Sequence, residues 1–298
     1  MTVKVVTVGQ QGPPGPPAVS VEYDATVFVA AVGDDTSSGL DSGAPKLTIS
    51  SAITAAEALI TAGQRTAQVL VQDAGVYTED LSVGDGVHVL APSATLIGTV
   101  TLGNDASVTL NRQYAAADAQ TMVQKGAGVG HGFYRANVLD MRGVDAAFTG
   151  GTALRNVSNG SVLFATVGVL FVAANGLGVS DSGAGFGHIH FWTPDLYLAG
   201  DDAVGISAAN NSNFIGYIDH ILEIGGPAGT IAIRLTNAGA SVKLTASEVI
   251  AGTAYSVSSG ALHITCPRLV GTRSGSPACE LSNVALIGAW GTIDALTP

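Results

Sequence analysis

Ile189-His190-Phe191-Trp192-Thr193-Pro194-Asp195-Leu196 superposes without gaps on Val242-Lys243-Leu244-Thr245-Ala246-Ser247-Glu248-Val249 and on Leu262-His263-Ile264-Thr265-Cys266-Pro267-Arg268-Leu269. Each copy opens on a two-residue apolar alternation, the pattern of a short strand with one buried face, then passes a turn and resumes as a second apolar strand. Recurrence of such a unit marks stacked structural repeats. A second motif recurs alongside it, an apolar residue followed by Ser or Thr and a small polar turn: Val157-Ser158, Val179-Ser180, Ile206-Ser207, Leu235-Thr236, Val257-Ser258 and Leu281-Ser282. Its hydroxyl residues stand 22, 27, 29, 22 and 24 apart, and Leu81-Ser82, Leu102-Gly103 and Val123-Gln124 stand 21 apart. These intervals predict a rung of roughly 22 residues with three strands and three turns, each strand pairing with its copy about 4.8 Å away.

The composition agrees with such an architecture. Among 298 residues there are 39 Gly, only 12 % are charged and 47 % are hydrophobic. Small residues suit turns and stacked interior positions, and low charge with high apolar content excludes a disordered chain. No uninterrupted apolar stretch approaches the roughly 18 residues of a membrane span. With 12 Lys+Arg against 23 Asp+Glu, net −11, the chain cannot build a phosphate-neutralising stripe, so neither nucleic acid nor membrane insertion is expected.

The N-terminal text differs. Met1–Val8 reads as a short alternating strand with no apolar core or cleavage site of a secretion signal, so synthesis in a cytoplasm is expected. Gly9-Gln10-Gln11, Gly12-Pro13-Pro14 and Gly15-Pro16-Pro17 are three collagen-type triplets. Only Gly fits where three polyproline II chains meet, so the spacing points to a trimer; a stiff monomeric spacer is the simpler reading. Further on, a strand at Thr26–Val29 precedes a helix whose apolar face is Ile49, Ile53, Ala56 and Ile60, with Thr48 or Ser50 as N-cap and Gly63 as the stop. Another strand follows at Ala67–Val71. Cys266 and Cys279 are expected as buried thiols, not a disulfide framework.

The run from Phe28 through Gly33-Asp34-Asp35-Thr36-Ser37-Ser38-Gly39, the helix, and then Val69 to Glu79-Asp80 with Gly75-Val76-Tyr77-Thr78-Glu79 resembles the opening of pectate-lyase-like right-handed parallel β-helix proteins. The resemblance covers about 65 residues and carries fold, not activity. Where that family often has Pro before its G-x-Y-x-E, this chain has Asp73-Ala74. It implies an all-β chain: a right-handed parallel β-helix solenoid with one N-terminal capping α-helix and a short collagen-like N-terminal segment. Residues 1–20 would be the collagen-like virion-attachment segment, 21–80 the first turn of the solenoid with its capping helix, and 81–298 the rungs.

Aligning the rungs exposes one column: Gly168, Asp195, His220, Glu248, Arg268 and Trp290. As a site, Asp195 and Glu248, two rungs or about 9.6 Å apart, approach the roughly 6.5–9.5 Å carboxyl separation of inverting glycosidases, with His220 between them as a further catalytic candidate. As structure, the column is a solvated turn whose charges attract weakly. Trp192, Tyr197 and Tyr217, with Arg268, are candidates for sugar contact, although core or inter-subunit packing is the favoured reading of the three aromatics. His188 and His190 share a strand face, but two histidines without a third ligand are weak evidence for a metal, and none is expected. Asp34-Asp35 and Asp201-Asp202 read as loop acids. No phosphate-binding loop, dinucleotide fingerprint or nucleophile elbow occurs, and no cofactor is implied.

A collagen-like segment joined to a β-helix resembles bacteriophage tailspikes and tail fibres. The resemblance implies a homotrimeric virion protein, attached to the tail or baseplate through its N-terminus, that binds a host surface polysaccharide. A depolymerase (lyase or glycoside hydrolase) on the same scaffold and a purely structural fibre or decoration protein are the competing readings.

Overall fold

The computed structural model describes residues 23–116, 121–144, 149–157, 160–181, 187–209, 213–226, 228–274, 279–282 and 285–287. The strand expected at Met1–Val8, the collagen-type triplets and Trp290 lie outside them. What is described is an all-β chain of parallel strands, with one helix, compatible with a parallel β-helix solenoid.

The strands fall into three columns. The first runs through Val27, Val69, Val89, Val108, Tyr134, Ala165, Phe191, Gly216 and Leu244. The second runs through Tyr77, Leu96, Gln113, Leu139, Leu170, Leu196, Ile221, Val249 and Leu269. The third runs through Leu81, Val100, Val123, Leu154, Val179, Ile206 and Ile233. Rung length is less regular than the hydroxyl motif predicts, from 17 residues between Thr95 and Arg112 to 31 between Val138 and Val169, and 42 between Ala25 and Ala67, where the helix is inserted. Nor do the hydroxyls form one ladder. Ser180 and Ser207 are partners, but Arg155 and Arg234 flank them, and Ser82 faces Thr101 in place of Gly103.

Between Val87 and Ile250 the first- and second-column strands of each rung merge where separate ones were predicted, whereas Ala67–Val71 and Val76–Thr78 stay separate. Val162–Val172 is one strand serving the first and second columns. Its buried residues are Leu163, Ala165 and Val167, then Leu170 and Val172, so the alternation skips one position at Gly168-Val169. That skip keeps the apolar side chains inward as the chain turns a corner. The same skip falls at Pro194-Asp195, Asp219-His220, Ser247-Glu248 and Pro267-Arg268.

The interior is a stacked apolar core with some polar members. Lys125 is fully buried, and its ammonium donates to Asn104 Oδ1 at 3.1 Å and the Gly126 carbonyl at 3.2 Å. Burial pushes its pKa down. Buried Gln113 donates to the carbonyls of Gly98 and Met122 and accepts from the Tyr134 hydroxyl at 2.6 Å. Cys266 is buried and free, and burial raises its thiol pKa; the side chain of Cys279 is outside the described set.

The helix spans Ile49–Thr61, with Thr48 as N-cap accepting from the Ser51 amide and Gly63 at φ +114 just beyond its end. Ile49, Ala52, Ile53 and Ala56 are buried. The helix packs against strands Ala25–Val29, Ala67–Val71, Leu81–Val83 and Val87–Ile97. Its first amides are met by Glu79, whose carboxylate accepts from Ile49 N and Ser50 N, satisfying donors that a helix start leaves open. Among the described residues no helix is long and apolar enough to cross a membrane.

Candidate functional site

The corner brings one set of predicted residues together. Two consecutive side chains face outward wherever the alternation skips, and the second of each pair forms a ladder: Val169, Asp195, His220, Glu248, Arg268 and Ala285 are successive partners. Gly168 does not belong to it; its own position is the first corner residue, where a Cβ would stand 2.5 Å from the Asn137 carbonyl oxygen. Position 285 holds the place assigned to Trp290. His220 Nδ1 lies 3.0 Å from Asp195 Oδ1, and Arg268 Nη1 pairs with Glu248 Oε1. The four side chains are partly exposed, from 22 % for Glu248 to 52 % for Arg268. Each acid is therefore engaged with the base one rung on.

The aromatic candidates separate into two places. Tyr197 stacks on Phe171 at 5.2 Å in the second column, and the Arg142 guanidinium, held by Asp140, lies 4.1 Å over the Phe171 ring. Trp192 and Tyr217 are neighbours on the outer face of the first column and are 48 % and 57 % exposed, so neither belongs to the core. Beside them runs a parallel ladder of Phe133, Phe164 and His190. The Phe133 and Phe164 rings are stacked at 5.2 Å, and His190 lies 5.0 Å from Phe164.

Between these two ladders lies a shallow trough. One depression of about 160 Å³ is lined by Phe164, Thr166, His190, Trp192 and Tyr217 over small floor positions such as Ala165. A second, lined by Phe133, Arg135, Phe164 and Thr166, shares two of those residues with it. The walls are rings in register, spaced about 4.8 Å apart along the stack; Phe133, Trp192 and Tyr217 are exposed and Phe164 and His190 half-buried. Chemically this is a stacking surface: it offers apolar ring area and no positioned acid–base pair. Sequence reasoning had Trp192 and Tyr217 but missed Phe133, Phe164 and Arg135; the signal was there, since Phe133, Phe164 and His190 recur one rung apart with a polar or aromatic residue two positions on.

His188 and His190 do share one face of strand His188–Leu198. Burial, and the neighbouring His188 imidazole, hold the His190 pKa below its ordinary value. Among the described residues no group of three or more His, Cys, Asp or Glu side chains is placed to hold a metal ion. The loop acids have structural partners: Asp35 accepts from Leu47 N, Thr48 N and the Thr48 hydroxyl, and Asp201 from Ala228 N. Comparison with protein-family models, curated proteins and solved structures finds no match to the chain.

Proposed function

We propose that this chain is a homotrimeric receptor-binding protein of a bacteriophage tail that recognises a host surface polysaccharide through the outer face of its first strand column. The observation that carries the reading is the trough lined by Phe164, His190, Trp192 and Tyr217, with Trp192 and Tyr217 exposed on successive rungs. A sugar ring presents a flat C–H face that stacks on an aromatic ring, and aromatic area left in water is costly unless a partner covers it. The rung step of about 4.8 Å is close to the length of one pyranose unit, so a glycan strand lying along the trough meets a new side chain at each sugar.

In this reading the solenoid is right-handed, the helix Ile49–Thr61 covers its first rung, and residues 1–20 attach the trimer to the virion. The collagen triplets at Gly9–Pro17 support threefold association. The depolymerase reading is weaker, because Asp195 and Glu248 each contact a neighbour, His220 and Arg268, and neither lines the aromatic trough. The test is competition for host adsorption: the purified protein added in excess blocks phage adsorption if it binds the receptor. No protection would move the assignment to a structural virion component.

A further inference from the structure

The charge around the trough is unlike that of the rest of the chain. Overall the protein carries 23 acidic residues and a net charge of −11. Yet the two ladders that wall the trough hold no carboxylate over nine rungs. One runs from Thr26 to Lys243, the other from Phe28 to Thr245. They hold instead Arg135, Lys243, His88 and His190. Arg135 lines the trough directly, beside Phe133 and Phe164. Arg135 and Lys243 are exposed, and among the described residues neither enters a recorded ion pair. Two acids border the stack: Asp105, 3.6 Å from His131, itself 5.7 Å from the Phe164 ring, and Asp219, exposed two positions beyond Tyr217 on the same strand face.

We infer that the trough selects an anionic polysaccharide, one whose sugars carry carboxylates, such as a uronic- or sialic-acid polymer. This rests on the glycan-binding reading above and names the class of glycan. An acidic chain held to so acidic a protein needs a corridor free of carboxylates, because like charges brought together on binding are repelled. It also needs donors at the rim: a guanidinium grips a carboxylate through two parallel N–H donors while the sugar rings stack on Trp192 and Tyr217. Arg135 is two rungs from Trp192, about 9.6 Å, so its carboxylate partner sits about two sugars from the ring stacked on the indole. His190, whose pKa burial and the neighbouring His188 hold below 6.5, faces Phe164 and Ile215 on neighbouring strands and gains charge only below that pH.

The test is an array of bacterial surface polysaccharides, each acidic member printed also in carboxyl-reduced form, probed with the full-length protein. Binding to an acidic polymer that is lost on carboxyl reduction and falls about tenfold in Arg135→Ala is the expected result. Arg135→Lys should restore part of it, since the charge returns without the fork. Binding confined to neutral polymers, or indifferent to carboxyl reduction, overturns the anionic assignment while leaving glycan recognition in place. Binding to a thymidine oligonucleotide but to no polysaccharide overturns both.

Discussion

His220 Nδ1 lies 3.0 Å from Asp195 Oδ1, one rung away, and the next two members of the same corner ladder, Glu248 and Arg268, pair in the same sense. Acid and base thus alternate along the corner, and each carboxylate is engaged by the basic side chain one rung on. Exposed pairs of this kind contribute about 0–1 kcal/mol each. The double substitution Asp195→Ala plus Glu248→Ala should leave adsorption competition unchanged and lower stability by no more than about 2 kcal/mol. Reducing-end release from host polysaccharide by the parent, abolished by this pair, would establish a depolymerase instead.

The buried amide of Gln113 depends on Tyr134. The hydroxyl donates to Gln113 Oε1 at 2.6 Å, while Nε2 is held by two carbonyls. Burial also holds the phenol protonated well beyond neutral pH. Tyr134→Phe removes the donor and leaves Oε1 buried with one bond fewer, at a cost of about 1–3 kcal/mol in denaturant unfolding. Unchanged stability would mean that water replaces the hydroxyl.

At the corner, Gly168 sits against the backbone of the preceding rung. An added methyl would stand 2.5 Å from the Asn137 carbonyl oxygen, so Gly168→Ala must displace one rung from the other. A loss of about 1–3 kcal/mol is expected, whereas Ser247→Ala, at an exposed position of the same corner, should be near neutral.

Acid sensitivity should begin at the first rungs. Burial alone would raise the Asp73 pKa, but donors from Ala31 N, Gly75 N and the Tyr77 hydroxyl outweigh it and hold the value below 3.8. A carboxylate depressed in the folded state contributes stability above its unfolded pKa and loses it as pH falls through the folded one. The contribution is therefore complete at neutral pH and fades below about 3.8. Asp73→Asn should cost about 1–2 kcal/mol at pH 7 and flatten the unfolding profile below pH 4. An unchanged acid limb would contradict the assignment.

What the sequence made legible was the inward alternation and its interruptions. The octets beginning at Ile189, Val242 and Leu262 carried the register of Asp195, Glu248 and Arg268 correctly, because apolar residues flank every corner and leave no other phase that buries them. The error at Gly168 has the same origin: the corner is two residues wide, and either can be read as the column. Lys125, Asn156 and Gln113 were not legible as interior residues. Their burial is possible because specific groups complete their hydrogen bonds, Asn104 and Gly126 for Lys125, the Ser161 and His188 carbonyls for Asn156, and Gly98, Met122 and Tyr134 for Gln113, information that a hydropathy pattern does not contain. The trough was half legible, for Trp192 and Tyr217 stood out by type, but their exposure depends on which way the strand alternates before the corner.

The central claim is that glycan stacks on the exposed ring of Trp192, and its most direct test is tryptophan emission during titration with purified host surface polysaccharide. The protein has two tryptophans, Trp192 and Trp290, so the parent is compared with Trp192→Phe. Stacking transfers the half-exposed indole from water to an apolar contact, and the account predicts a saturable blue shift in the parent that is absent in Trp192→Phe. An emission spectrum that does not move while the polysaccharide binds, or that moves equally in Trp192→Phe, would contradict it.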